Sequence, residues 1–439
     1  MKKFFTTIRN IFSIEDLRIR ILNTIGFLVI FRLGSFVVLP GVDPDQLTDS
    51  AGIFGLLNTF LGGAFDRASI FGLGIMPYIS ASIVVQLLTV AVPYFQKLQK
   101  DGESGRNKIN QITRVLTIFI TLAQGATYVA GTIPNEALLP GIDRTFFTIT
   151  SMVILTAGTI FCMWLGEKIT DKGIGNGISM LIMIGIISRF PGSIAAEALA
   201  RGMSGALLFV LEIVALFFVV MGVVMLTQAV RRIPVQYAKQ VVGNKVYGGQ
   251  RQYIPLKVNA SGVMPIIFAQ SLMFLPAMLA GFWQDNNDMA ASIGATFSDF
   301  TTWQYNLVFG ILIILFTFFY TAITVNPNQI SDDMKRNGGF IPGIKPGKQT
   351  SEFIDSILTK ITLPGSIFLA IVAILPAIAN LAGVSREFSQ FYGGTSLLIM
   401  VGVILDTLQQ IESYLLMRHY EGMMKSGRVK GRSENVAVA

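Results

Sequence analysis

The side chains that most often carry enzymatic chemistry are scarce in this sequence. There is one histidine, His419, near the C-terminal end, and one cysteine, Cys162, inside an apolar run. A Cys/His metal site needs several such ligands close together, and these two residues cannot supply it. A Ser-His-Asp hydrolase would rest on His419 alone, and a single cysteine builds no disulfide framework. The stretch Pro342-Gly343-Ile344-Lys345-Pro346-Gly347-Lys348-Gln349 has the outline of a phosphate-binding loop. Proline stands for its first glycine and glutamine for its final Ser/Thr, so magnesium would lose its hydroxyl ligand. No metal, cofactor or catalytic set is therefore expected, and any driven process must take its energy from a partner or an ion gradient. Arg32, Glu212 and Asp406 stand apart because they fall within long apolar runs. Charge at membrane depth is a functional candidate by default. These three are spread over three runs, and structural roles fit them at least as well as a compact ion site.

The elements that position these residues follow from composition. Hydrophobic residues make up 52% of the 439 and charged residues only 14%, against about 25% charge in a soluble domain. Such a chain cannot cover a globule with polar surface, and lipid is its natural solvent. The net charge of +8 raises the question of nucleic acid. The basic residues, however, sit between apolar runs, the pattern of a membrane protein, and no DNA partner is expected. A spanning helix needs about 20 mostly apolar residues. Ten runs qualify, at 21–39, 74–93, 115–133, 146–165, 174–188, 206–228, 260–282, 305–325, 362–381 and 395–416. The fifth is short and opens on the glycine-broken Gly173-Ile174-Gly175-Asn176-Gly177. With ten spans, the Lys and Arg residues gather on the side of the two termini. Only Arg67, Arg144, Arg189, Arg201 and Arg386 fall opposite, and Arg32 lies within the first span. That asymmetry puts both termini in the cytoplasm. Trp164, Trp283 and Trp303 fall at span ends, where amphipathic rings favour the headgroup zone. No small-residue cleavage site follows the first run, so it is expected to stay as an anchor. Residues 1–20 read as a surface-lying amphipathic segment or a solvated leader.

Two local features point to a conduit. The second span opens Gly74-Ile75-Met76-Pro77-Tyr78-Ile79 and the seventh Gly262-Val263-Met264-Pro265-Ile266-Ile267. Each is the second span of a five-span half, and an odd number makes the second half inverted, as in machines that pass cargo between two halves. Between the first two spans, residues 51–67 are too apolar for an ordinary loop and too glycine-broken to cross. They read either as a re-entrant piece in a pore or as an interfacial helix. The cytoplasmic connections 229–259 and 326–361 are long and basic, which suits docking of anionic lipid, RNA phosphate or an acidic protein. Isoleucines, and no compact polar site, mark the helix starts. An apolar constriction holds no solute specifically, yet it can exclude ions by dewetting and let diverse cargo slide through.

At this point the chain resembles the SecY family across nearly its whole length. The matching stretches are Gly74-Ile75-Met76-Pro77-Tyr78-Ile79-Ser80-Ala81-Ser82-Ile83, Gly102-Glu103-Ser104-Gly105-Arg106, Gly173 to Ser179, Pro255-Leu256-Lys257-Val258-Asn259 and Gly393-Gly394-Thr395-Ser396-Leu397-Leu398-Ile399. The resemblance implies an all-α polytopic membrane protein with ten transmembrane helices in two inverted, pseudo-symmetric halves around an hourglass pore. These would be residues 21–188, including a plug over 52–68, and residues 206–416, followed by a cytoplasmic tail over 417–439. It implies a bacterial inner-membrane channel that conducts unfolded secretory polypeptides and releases transmembrane segments sideways into lipid, driven by the ATPase SecA or the ribosome. SecE, SecG and anionic lipids are the implied companions. A secondary transporter of a small solute is the alternative.

The family's pore ring maps onto Ile75, Ile79, Ile178, Ile182, Ile267 and Ile399. Two of its pairs have i,i+4 spacing, which puts each pair on one helix face. The plug maps onto Phe54, Leu56, Leu57, Asn58, Phe60, Leu61 and Phe65. The lateral gate, between spans two/three and seven/eight, maps onto Ser82, Gln86, Gln124, Ser271 and Leu275, and Asn176 is a further polar contact near the pore. Docking maps onto Lys239, Lys245, Arg251, Lys257, Lys335, Arg336, Lys345 and Tyr420. Two departures stand out. Lys345 sits where the family usually has arginine, which keeps charge but loses the bidentate fork. The loop at Tyr237-Ala238-Lys239-Gln240 is less basic than in many members.

Overall fold

The computed structural model describes residues 12–43, 46–47, 62–202, 205–237, 240–242, 245–247, 251–283, 296 and 299–425, with the backbone alone at 135, 240–242, 245–247, 251, 274–283 and 418–425. The first helix, α1 (Glu15–Gly34), carries Glu15 and Asp16 in its first turn and Arg32 in its last, each matching the helix dipole. It takes in the described end of the basic leader without a break, so residues 15–20 belong to the helix of the first span. Helix α2 (Met76–Ala91) follows Gly74, whose φ of 51° suits glycine, and has Pro77 in its first turn, where a missing N–H costs nothing. It stops at extended Val92, the residue before Pro93. The axis then turns by 98° into α3 (Pro93–Lys100).

Helices α4 (Gly102–Thr132), α5 (Arg144–Lys172), α6 (Gly177–Arg201) and α7 (Ala206–Gln228) come next. On α4 the buried threonines Thr113, Thr117 and Thr121 recur every fourth residue. Each hydroxyl donates to the carbonyl four residues back, at 2.9, 2.7 and 2.6 Å, so a polar stripe is buried with its donors satisfied. The fifth span is not short. Helix α6 runs through Pro191 to Arg201, well past the apolar run at 174–188. Helix α7 turns Leu207, Leu208, Leu211, Phe217 and Phe218 outward, the face of a helix solvated by lipid.

The remaining elements are β1 (Val230–Tyr237), β2 (Gln240–Val242), β3 (Lys245–Tyr247), β4 (Arg251–Lys257), α8 (Met264–Trp283), α9 (Trp303–Thr324), α10 (Pro327–Arg336), β5 (Gly339–Phe340), α11 (Lys348–Leu381), α12 (Arg386–Ser389) and α13 (Gly394–Lys425). Helices α1, α2, α4 to α9, α11 and α13 answer to the ten expected spans. The last of them continues to Lys425 rather than ending near 416. A multi-pass membrane protein is the only economical reading of so many long apolar helices.

The described residues divide into two compact units, one from residues up to 187 together with those from 403 onward, the other from 188 to 402. In the first, α2 packs on α4, α4 on α5 and α1 on α5. Its apolar core joins Phe31, Phe71, Ile75, Cys162, Leu165, Ile169 and Leu181. In the second, α8 packs on α9, and α9 on α11. Helices α6 and α13 contribute residues to both.

The two long basic connections are not structureless. Strand β1 is the centre of an antiparallel sheet in the order β4-β1-β5. It pairs with β4 from Val230↔Lys257 to Gln236↔Arg251, and with β5 only at Gln236 and Tyr237. Among the described residues β1 has no neighbour on its second side at Pro234, so its missing N–H need cost no ladder bond. Ile233, Val235 and Leu256 of this sheet share one core with Met334, Ile341, Ile354 and Leu358. Residues of both connections thus fold together as one small body on the N-terminal part of α11.

Candidate functional site

The isoleucines singled out in the sequence do not share one environment. Ile75 precedes α2 and is only 3% exposed, buried in the core of the first unit. Ile79, one turn on, and Ile178, at the start of α6, are half-buried and pack on that same core. Ile182 is half-buried one turn beyond Ile178. In the second unit Ile267 is half-buried on α8, while Ile399 on α13 is 3% exposed. No charged group belongs to the cluster that holds Ile75, Ile79 and Ile178. Apart from the Tyr78 hydroxyl its side chains are apolar, a surface suited to excluding water and ions.

The start of α6 is held with unusual thoroughness. Asn176 Oδ1 accepts from the N–H of Ile178 and Ser179, at 3.1 and 3.3 Å, and so caps the helix that carries Ile178 and Ile182. The turn before it is gripped from α1, where Arg20 Nη1 donates to the Gly173 carbonyl at 3.1 Å and Thr24 Oγ1 accepts from Ile174 N at 3.0 Å. A Cβ on Gly177 would lie 1.9 Å from the Gly166 carbonyl, so only glycine fits. The glycine run that looked like a break in the span is a tightly packed turn.

Of the expected plug residues, Phe54, Leu56, Leu57, Asn58, Phe60 and Leu61 lie outside the described residues, and Phe65 lies within them. Phe65 is buried, with its ring edge-to-face on Tyr128 at 4.6 Å, and its carbonyl accepts from the Tyr128 hydroxyl at 2.6 Å. Just before it, Arg32 and Arg67 both donate to the Gly62 carbonyl, at 2.8 and 2.9 Å. Both guanidinium groups lie over the Phe36 ring, at 4.8 and 4.4 Å from its centre. This gives intramembrane Arg32 a structural task that local sequence could not reveal, because its partner is a backbone carbonyl 30 residues away.

Among the gate residues, Ser82 and Gln86 on α2 and Gln124 on α4 are half-buried on two helices packed together. The Gln86 Oε1 is buried without a hydrogen-bond partner. Ser271 is half-buried on α8, and the side chain of Leu275 is outside the described atoms. Among the expected docking residues, Lys257, Lys335, Arg336 and Lys345 are exposed on the small body built from the two connections. Lys239 lies outside the described residues, and Lys245, Arg251 and Tyr420 are described by backbone alone.

A polar network escaped the sequence reading. Arg201, at the end of α6, joins Glu197 Oε1 at 2.9 Å to Glu212 Oε1 at 2.5 Å and also donates to the Gly383 carbonyl. Glu197 Oε2 accepts from Ser385 N, and the Tyr392 hydroxyl donates to the Glu212 carbonyl at 2.6 Å. Burial first, and then the nearby Glu212 and Glu197, push the Tyr392 hydroxyl above its ordinary range, so it stays a donor. Glu212 is thus a structural tie between helix ends. The i,i+4 spacing of Glu197 and Arg201 was the available signal, hidden because the fifth span seemed to end before them.

The SecY family model matches residues 69–408. The chain belongs to the SecY family. Among its relatives in that family is the protein translocase subunit SecY of Streptomyces coelicolor, 43% identical over 437 residues, which cover 96% of this chain and all of the relative. The SecY subunit of Mycobacterium bovis is 40% identical over 448 residues, covering 97% of this chain and all of that one. Solved structures share the fold. A protein-conducting channel superposes with a TM-score of 0.64 at 17% identity, over 90% of this chain and 92% of that one. A Sec61 channel in a canine ribosome-channel complex from the endoplasmic reticulum gives 0.60 at 16% identity, with the same two coverages. The SecY fold accounts for the helical architecture. Family membership makes the chain a channel subunit, not an enzyme.

Proposed function

We propose that this chain forms the channel of a Sec translocase, passing unfolded secretory polypeptides across a bacterial inner membrane and releasing transmembrane segments sideways into lipid. The observation that carries this is full-length similarity, at 40% identity or more, to proteins named as SecY translocase subunits. The lumen has to grip chains of any sequence without leaking ions. A collar of Ile75, Ile79, Ile178, Ile182, Ile267 and Ile399 does this, because it is apolar, deformable and without a preferred ligand. The segment 52–68 plugs the resting channel, and Phe65 with Tyr128 roots its end. Ser82, Gln86, Gln124, Ser271 and Leu275 line the sideways exit, where an orphan acceptor such as Gln86 Oε1 favours opening toward a polar partner.

The chain supplies no energy source of its own, so a motor must push. The exposed Lys257, Lys335, Arg336 and Lys345, with Lys239, Lys245, Arg251 and Tyr420, dock SecA or the ribosome. SecE and SecG complete the complex, anionic lipids meet the basic face, and both termini lie in the cytoplasm.

The test is purification from native membranes, followed by reconstitution. SecE and SecG in equimolar amounts, and precursor uptake that requires SecA, are the expected results. Saturable flux of a small solute through the chain alone, with no precursor uptake, would replace this reading by a secondary transporter.

A further inference from the structure

The turn 173–177 is held by α1 on one side and by α13 on the other. Gly175 has a φ of +83°, and a Cβ there would come within 3.0 Å of Thr407 Oγ1, so its backbone lies against α13. Its N–H donates to the Gln410 Oε1 of α13 at 2.8 Å. Tyr414, one turn beyond Gln410, lies under the Arg20 guanidinium at 5.4 Å, and Arg20 in turn holds the Gly173 carbonyl. Thr407, Gln410 and Tyr414 share one face of α13 by their i, i+3, i+7 spacing.

Two mechanical links leave this contact. One peptide unit on, Asn176 caps the helix that carries Ile178. Eleven residues back along α13, an unbroken helix with no proline, stands Ile399. At 1.5 Å per residue that is about 16 Å of rigid rod. The Gln410 side chain itself is exposed, so its removal opens no core cavity.

We propose that Gln410 is a positioning residue that latches α13 to the turn before α6. It thereby fixes how Ile178 and Ile399 are presented, and it is the point at which a pull on the C-terminal end of α13 reaches the collar. This rests on the collar reading above. The Gln410→Leu variant keeps a helix-forming side chain, one atom shorter, and loses the acceptor, whereas Gln410→Glu keeps an oxygen where Gly175 N–H points, near the Arg20 cation.

The experiment reconstitutes the full channel complex in vesicles. It measures idle potassium efflux, uptake of a precursor with a defective signal sequence, and the thermal midpoint. One lost neutral hydrogen bond corresponds to a roughly three- to fivefold rise in leak and in defective-precursor uptake for Gln410→Leu. Gln410→Glu should stay within about twofold of wild type by the same reasoning, and neither thermal midpoint should move. Ile399→Asn serves as the control for the collar. If it leaks and Gln410→Leu does not, the latch is wrong and the collar stands. If neither leaks, the collar reading falls and the latch with it. Equal leak in both Gln410 variants, with lowered midpoints, would reduce Gln410 to general packing and overturn the proposal.

Discussion

The two copies of the Gly-x-Met-Pro start have the same backbone and different jobs. Gly74 and Gly262 have φ of 51° and 63°, and in each copy a helix begins at methionine with proline second. The next position diverges in burial. Ile75 is sunk in the core of its unit with Phe31, Phe71 and Leu165, while Val263 is half-buried. One turn later the copies converge again, with Ile79 and Ile267 both half-buried. The repeat therefore preserves a way of starting a helix and of presenting one isoleucine from its first turn. What surrounds that start differs between the two copies.

This comparison can be broken by substitution, and the largest effect is expected at Ile75. Ile75→Ala empties a core position and should lower stability by about 2–4 kcal/mol, read as a thermal midpoint in detergent. A loss under about 1 kcal/mol would mean that Ile75 contributes little to the core of its unit. Gly74→Ala and Gly262→Ala force a side chain into the left-handed region and should each cost about 1–2 kcal/mol. Around Gly262 nothing lies within 4 Å of the added Cβ, so that cost there is purely conformational. A cost at one glycine without the other would end the claim of a shared backbone. Val263→Ala, at a half-buried position, should cost about 1 kcal/mol or less, which sharpens the contrast with Ile75. Ile267→Asn should move the midpoint least and still loosen the seal, seen as uptake of precursors with defective signal sequences. Wild-type strictness in that variant would remove Ile267 from the collar.

Much of the fold was legible because lipid imposes long apolar runs and the basic residues punctuate them. What was not legible has physical reasons. The fifth span looked short because Arg189, Glu197 and Arg201 interrupt its hydropathy, but Glu197 and Arg201 satisfy one another and Glu212, so the helix carries them. The sheet formed by these connections escaped because its two main strands hold Pro234 and Pro255, which sequence patterns read as loop. The partner of Arg32 could not be read from sequence, since a carbonyl leaves no compositional trace. For the site, residue type identified six isoleucines through family resemblance. Isoleucine is common along the whole chain, and only the structure separates buried Ile75 and Ile399 from half-buried Ile79, Ile178, Ile182 and Ile267.

The most direct test places a photo-reactive amino acid, one at a time, at 75, 79, 178, 182, 267 and 399 in the assembled translocase and arrests a secretory chain midway. Crosslinks to the arrested chain from the collar positions, and none from lipid-facing Leu211 of α7, are the predicted result. Crosslinks absent from all six, with the chain captured along a charged surface elsewhere, would contradict the account.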